Sequence, residues 1–347
     1  MAAVTFTANG EYLVAGVSKG VLVWRVRDGK KMATWAATSV LCVAASTDGR
    51  WVAAGTLRGC VLVWDANTHE QVSAHREELP RAQAHTVHAV DFSPDSTRLI
   101  ASNSSKTTIR DVSTRRHICT LDHGSWEVRA AKYSPQGDRI ATATRESVQI
   151  WDSNDGRLLV DIKVQVIPWR NAGLLWSNNH LFVVSNNQIK EIDAFTGSIV
   201  LEWAVPEADD TSCIALRQRG KFIAYSAEDA ITFWDTSTGT RLLAIPLYLK
   251  YTPIALSPDG RLFACISPNR KLSVNRLAYV AVSFMSLLYG ASESDLAFKC
   301  PSIITHRIQF LRFVYTTHFS NQRFICISTR LCSTRGSMII SWTRKHC

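Results

Sequence analysis

Short runs of alternating apolar and polar residues recur along the first four-fifths of the chain, and small or polar residues separate them. Period-two alternation interrupted by Pro, Asp and Gly predicts antiparallel strands joined by tight turns. Six segments show a strand, a polar turn and a second strand: VTFTANGEYLVAG, VAASTDGRWVAAG, VDFSPDSTRLIAS, AKYSPQGDRIATA, IALRQRGKFIAYS and IALSPDGRLFACI. A seventh segment, LLWSNNHLFVVS from Leu174, keeps the same layout with two Asn in the turn.

Tryptophan marks the end of the next run in several of these units. The four tryptophans are Trp24, Trp64, Trp151 and Trp234, with separations of 40, 87 and 83 residues. These separations correspond to one, two and two steps of a period near 41 to 43, so two further copies are expected without Trp. Arg110 and Ile192 occupy those positions, and Asn275 occupies a seventh. A second polar turn and one more apolar run follow each position, so each unit is predicted to hold four strands.

Four short strands cannot bury both faces of their sheet alone, and a ring of such units around a central channel solves this. The turns of the FSPDG type and the Trp-Asp pairs resemble the WD40 repeat family. Three Trp-Asp pairs carry the resemblance: Trp64-Asp65, Trp151-Asp152 and Trp234-Asp235. The resemblance implies an all-β fold, a seven-bladed WD40 β-propeller over residues 1–277. The degenerate style of the repeats also resembles WD40 regions of fungal multidomain proteins, including those fused to NACHT-type NTPases.

The sequence lacks several of the residues that the WD40 family uses to hold each blade together. The family implies a network of His, Ser/Thr, Asp and Trp in each blade, but only His85 and His123 are clear histidines in that position. We therefore expect looser blades, with units three and five the least regular. The chain begins with an inner strand, so closure of the ring depends on the last unit: either Val280 to Phe284 supplies its fourth strand or the seam stays open.

Composition and charge separate a tail from the repeats. The chain has 347 residues, 46% hydrophobic and 20% charged, so most of it is expected to fold. Of its formal charge of +10, the last 72 residues contribute nine Lys and Arg against two Asp and Glu. The repeat stops before residues 278–347, which are predicted to be disordered or a gene-model artefact. A basic interaction arm, and an outer strand with a weak membrane-surface segment, are the alternatives.

Sequence motifs for chemistry are absent. The chain contains no phosphate-binding loop, nucleophile elbow or zincin motif, so we expect no enzyme activity, no cofactor and no small-molecule substrate. Nine cysteines without a CxxC pair indicate reduced thiols and no metal site. Neither a signal peptide nor a membrane-spanning run is evident, so a cytoplasmic location without membrane insertion is expected, with the nucleus as the alternative.

A partner surface is the remaining candidate site. In the WD40 family, the loops that lead into the inner strands form a rim where partners commonly dock. Aromatic and Arg side chains carry much of the binding energy at interfaces, so those in these loops are the candidates. Packing of Trp126 and Trp169 into neighbouring blades is the alternative. The candidate partner-binding residues are His88, Trp126, Arg129, Trp169, Arg170, Tyr248, Lys250 and Tyr251.

The sequence therefore predicts a non-enzymatic scaffold that binds protein or peptide partners. The alternative is a nucleic-acid-associated factor that uses the propeller and the basic tail together, which would show steep salt dependence.

Overall fold

The computed structural model describes residues 3–76, 86–124, 126–164, 174–185, 188–205, 213–217, 222–226, 230–246, 254–259, 262–266, 272–276, 278–280, 311–313 and 316–318. Strands, turns and bends account for the regular structure in these ranges, which contain no helix. The strands form seven four-stranded antiparallel sheets, the blades of a propeller, and one two-stranded ladder. The all-β, seven-bladed architecture expected from the repeats is confirmed.

The first four blades have regular strand order from the inner to the outer edge. Blade one holds β1 Ala3–Phe6, β2 Tyr12–Val17, β3 Gly20–Arg25 and β4 Lys31–Trp35. Blade two holds β5 Val40–Ala45, β6 Trp51–Thr56, β7 Cys60–Asp65 and β8 Gln71–Arg76. Blade three holds β9 Ala89–Phe92, β10 Arg98–Ser102, β11 Lys106–Asp111 and β12 His117–Asp122. Blade four holds β13 Ala130–Tyr133, β14 Arg139–Ala143, β15 Ser147–Asp152 and β16 Leu158–Lys163.

The last three blades follow the same plan, except for the final strand of blade seven. Blade five holds β17 Leu174–Ser177, β18 His180–Ser185, β19 Gln188–Asp193 and β20 Ile199–Ala204. Blade six holds β21 Cys213–Arg217, β22 Phe222–Ser226, β23 Ala230–Asp235 and β24 Arg241–Pro246. Blade seven holds β25 Ile254–Leu256, β26 Leu262–Ile266, β27 Leu272–Arg276 and β30 Thr316–His318. The ladder pairs β28 Ala278–Val280 with β29 Leu311–Phe313.

In blades two, three and seven, the turn between the first and second strands is held by a serine hydroxyl at its start. Ser46 Oγ donates to Asp48 Oδ1 at 2.5 Å and accepts the backbone N–H of Trp51 at 2.8 Å. Ser93 and Ser257 make the same pair of hydrogen bonds in blades three and seven. The recurring Ser-x-Asp pattern is therefore the local cause of the tight turn, because the side chains satisfy backbone groups that the strands leave unpaired.

Each inner strand packs against the inner strands of both neighbours, and β25 packs against β1, so the ring closes. The seam is apolar: Phe6, Leu13 and Trp24 of blade one form one buried cluster with Ala264 and Val274 of blade seven. Closure therefore comes from side-chain packing across the seam, and no strand has to be exchanged between the first and last blades.

Two expectations about irregularity differ from the structure. Thr316–His318 pairs with β27 as the fourth strand of blade seven. The segment expected in that place was Val280 to Phe284, but Val280 is the last residue of β28, which pairs with Leu311–Phe313. Blades three and five have the same four-strand pairing as the others, and their third strands carry the same bulge just before the Trp position. Backbone hydrogen bonds make this pairing, so replacement of the Trp side chain does not disturb it.

Candidate interaction surface

The Trp of blades two, four and six packs against the outer strand of the preceding blade. Trp64 is 2% exposed and stacks on Trp35 of β4, with ring centroids 5.2 Å apart. Trp151 packs with Leu121 of β12, and Trp234 packs with Trp203 of β20. Trp24 is likewise buried. These side chains therefore join neighbouring blades and are unavailable to a partner.

The Asp that follows Trp64, Trp151 and Trp234 holds the turn between the third and fourth strands. Asp65 Oδ1 accepts the backbone N–H groups of Asn67 at 2.8 Å and Thr68 at 3.1 Å. Burial opposes ionisation of Asp65, but these hydrogen bonds and one from Arg50 outweigh it and lower its pKa. Asp152 and Asp235 accept the equivalent pairs of N–H groups. Their role is structural.

His123 forms a buried network where blades three and four meet. Its Nε2 lies 3.1 Å from Thr107 Oγ1 and its Nδ1 lies 2.8 Å from Gln149 Oε1. The ring also meets Trp151 edge to face, with centroids 4.9 Å apart. Burial lowers the pKa of His123 below its ordinary value, and the hydrogen bond with Gln149 opposes that shift. The neutral ring is the form that suits this site.

The candidate rim begins with two residues at equivalent positions in consecutive blades. His88 and Arg129 are 41 residues apart, one repeat. The backbone N–H of His88 donates to Ser102 O, and that of Arg129 donates to Ala143 O, both at 2.8 Å. These bonds extend the ladders of β9 with β10 and of β13 with β14. The backbone of both residues is therefore hydrogen-bonded to a strand and does not belong to an unpaired loop.

Glu127 joins these two side chains across the blade boundary. Glu127 Oε1 lies 2.6 Å from His88 Nε2, and Glu127 Oε2 accepts a hydrogen bond from the Arg129 guanidinium. The carboxylate thus partly offsets the positive charge of Arg129.

Trp126 directly precedes Glu127 in the chain and is 44% exposed. Two residues further along the loop, Val128 is fully buried, so the segment is anchored in the core while the indole faces solvent. We define the rim cluster as His88, Trp126, Glu127 and Arg129. It combines a large apolar surface with a fixed polar group, the combination typical of interface anchors.

The other predicted rim residues lie outside the described residues: Trp169, Arg170, Tyr248, Lys250 and Tyr251. Glu127 was missed by sequence reasoning, although an acidic residue two positions before a predicted anchor was a usable signal. Residues 278–347 contribute three short strands to the described structure.

The described residues include two deeply buried thiols, Cys42 and Cys265. Within the described ranges, no group of three or more His, Cys, Asp or Glu side chains could hold a metal ion. Burial raises the pKa of the Cys42 and Cys265 thiols to about 12, so neither is a ready nucleophile. In the same ranges, the chain forms no helix of the length and apolarity needed to cross a bilayer.

Comparison with known proteins places this geometry in a family. The sequence profile described as "Nucleolar protein 10-like, N-terminal domain", a β-propeller, matches residues 3–199. The chain is 23% identical over 214 residues to the transcriptional corepressor LEUNIG_HOMOLOG of Arabidopsis thaliana, covering 58% of the chain and 25% of that protein. It is 26% identical over 144 residues to the WD repeat-containing protein SL1-17 of Schistosoma mansoni, covering 40% of the chain and 46% of that protein. The chain thus spans from a quarter to just under half of these relatives.

Solved structures with the same fold include proteins of very different roles. A chain of a mitotic checkpoint complex superposes with a TM-score of 0.69 at 20% identity, covering 79% of this chain and 86% of the other. A chain of Kuenenia stuttgartiensis hydrazine synthase superposes with a TM-score of 0.69 at 14% identity, covering 80% and 95%. At these identities the likeness concerns the fold alone.

Proposed function

This chain belongs to the nucleolar protein 10-like N-terminal domain family of WD40 β-propellers, and on that premise we propose that it is a non-enzymatic scaffold that binds a protein or peptide partner. The rim cluster carries the proposal. The exposed indole of Trp126 belongs to the residue before Glu127, whose carboxylate accepts a hydrogen bond from Arg129 and lies 2.6 Å from His88 Nε2 of the neighbouring blade. Such a preorganised surface loses little conformational entropy when a partner binds.

The chemistry of the rim favours a partner segment that presents both an apolar side chain and a hydrogen-bonding group. Trp126 offers apolar area for the first. The second can reach the Glu127 carboxylate or the Arg129 guanidinium, which are both partly exposed. A purely anionic ligand such as nucleic acid gains less binding free energy at this surface, because the Glu127 carboxylate repels phosphate and already pairs with Arg129.

Two further features belong to the proposal. The domain division is residues 1–277 as the propeller repeats and residues 278–347 as a basic segment, of which Thr316–His318 adds the fourth strand of blade seven. The family takes its description from a nucleolar protein, which favours the nucleus over the cytoplasm as the place of action.

Affinity capture with the full chain tests the proposal. The parent chain is compared with Trp126→Ala and Arg129→Glu, and with Arg157→Glu as a matched control on an exposed turn away from the rim. We expect one or more proteins to be retained by the parent and the control but depleted by both rim variants. Equal retention by all four chains would show that this rim is not the docking surface.

A further inference from the structure

Blade three departs from its neighbours at the position that joins blades. Four other blades place Trp there, and blade five places Ile192, which is fully buried in a cluster with Ile162 of blade four. Blade three places Arg110 there, opposite β8 of blade two. A long cation thus takes the place of a large apolar side chain between two blades.

A cleft lies at this boundary. It has a volume of about 220 Å³ and is lined by Gln71–His75 of β8 together with Arg110 and Arg115. Pockets for whole small molecules are usually about 300 to 1,000 Å³. The cleft is therefore of a size for one inserted side chain rather than for a complete cofactor or metabolite.

The β8 strand forms one wall of this cleft. It is the outer strand of blade two and is hydrogen-bonded on one side, to β7, in the described sheet. An outer strand presents backbone donors and acceptors to which an extended peptide can add as a further strand. The lining by five consecutive β8 residues means that the cleft runs along this edge.

The opposite wall is cationic. Arg110 and Arg115 both line the cleft, and the described lining contains no acidic residue. Arg115 has a φ of 63° and stands at the turn position that glycine takes in blades one, four, five and six. Arg115 adopts this left-handed conformation without glycine, as His69 does at the equivalent position of blade two, and it places a second guanidinium in the cleft lining with Arg110. Guanidinium groups pair with carboxylates in bidentate hydrogen bonds.

We propose that the β8 cleft, defined by Gln71–His75, Arg110 and Arg115, is a second binding site that accepts an extended acidic peptide. The peptide adds along β8, and one of its carboxylate side chains enters the cleft between the two arginines. The site lies at the outer strands, apart from the rim cluster, and the proposal does not depend on the rim being a docking surface.

The direct test is fluorescence anisotropy with a labelled octapeptide of alternating Val and Glu, added to the full chain. A matched octapeptide of alternating Val and Gln is the control probe. We expect the acidic peptide to bind at least about tenfold more tightly than the neutral one, as for a charge-assisted hydrogen-bonded contact. Equal affinity for the two peptides, or no binding of the acidic one, would overturn the proposal.

Variants locate the binding on the protein. Arg115→Asn keeps a residue that tolerates the left-handed conformation, Arg110→Gln removes the other charge, and Arg116→Gln is an exposed control next in the chain. We expect the first two to weaken acidic-peptide binding by about tenfold or more and the third to leave it unchanged. Affinity that survives both cleft variants, or falls equally in the control, would refute the site.

Hydrogen exchange separates strand addition from loose electrostatic attraction. If Arg110→Gln fails to fold, the peptide affinity of Arg115→Asn, on the exposed turn, still tests the site. Amides of β8 should gain protection from exchange when the acidic peptide is bound, whereas amides of β12, an outer strand at another boundary, should not. Binding without added protection in β8 would contradict the proposed mode.

Discussion

Trp35 and Trp64 stack across the boundary between blades one and two, with their ring planes within 10° of parallel. Trp35 ends the outer strand of one blade, and Trp64 stands near the end of the third strand of the next. The repeated Trp therefore connects two units rather than completing its own. This explains how a period in the sequence becomes a ring of packed blades: most blades supply an apolar side chain at this position that packs against the preceding blade.

Replacement of Trp64 by Ala should destabilise the propeller by about 3 to 5 kcal/mol, because a large buried aromatic and its stacking partner are lost. Urea denaturation measures the change in unfolding free energy. Leu57→Ala is the control, since Leu57 is 53% exposed and its removal should cost little. Equal losses for the two variants would contradict the role of Trp64 at the blade boundary.

Acidification should weaken the fold through His123. Burial lowers the folded-state pKa below the ordinary value of 6.5, so below that pH the unfolded chain binds a proton that the folded chain resists. Stability that is present at neutral pH is then lost as the pH falls through 6.5 towards the folded pKa.

Unfolding free energies at about pH 7.5 and about pH 5.5 test this dependence. The parent chain should lose more stability between these values than His123→Gln, which keeps a polar but uncharged side chain. Other histidines contribute equally to both chains, so the difference reports His123. Parallel pH profiles would exclude His123 as a source of the effect.

Truncation separates the outer strand of blade seven from the rest of the tail. A chain ending at residue 320 keeps Thr316–His318, and one ending at residue 284 loses it. We expect the first to match the parent in melting temperature. The shorter chain should be less stable by about 1 kcal/mol for the lost backbone pairing, yet unfold cooperatively, because the seam is closed by β1 and β25. Identical melting of the two truncated chains would argue against Thr316–His318 as the closing strand.

Sequence reasoning recovered the features that repeat. The spacing of Trp24, Trp64, Trp151 and Trp234 predicted the blades, because each position meets the same kind of neighbour once per repeat. It also placed Arg129 and Trp126 in one loop, because the two strands that flank the loop are identified by the repeat and the loop residues follow from the sequence between them.

Features that depend on contacts between different blades were not predictable in this way. The bridge from Glu127 to His88 joins residues of two repeats, and no pattern within one repeat specifies it. The cleft beside Arg110 is also lined by Gln71–His75 of β8, which belong to a different repeat. The pairing of Thr316–His318 with β27 spans about forty residues of chain without a repeat signal, so local alternation could not identify it.

The most direct measurement is the affinity of a captured partner for the full chain and its rim variants, determined by calorimetry with circular dichroism and melting checked in parallel. Trp126→Ala and Arg129→Glu should each weaken binding by about 1 to 3 kcal/mol without loss of the β-sheet signal, and the control Arg157→Glu should bind like the parent. Parent-like affinity in both rim variants would contradict the account that the rim cluster is where this propeller docks its partner.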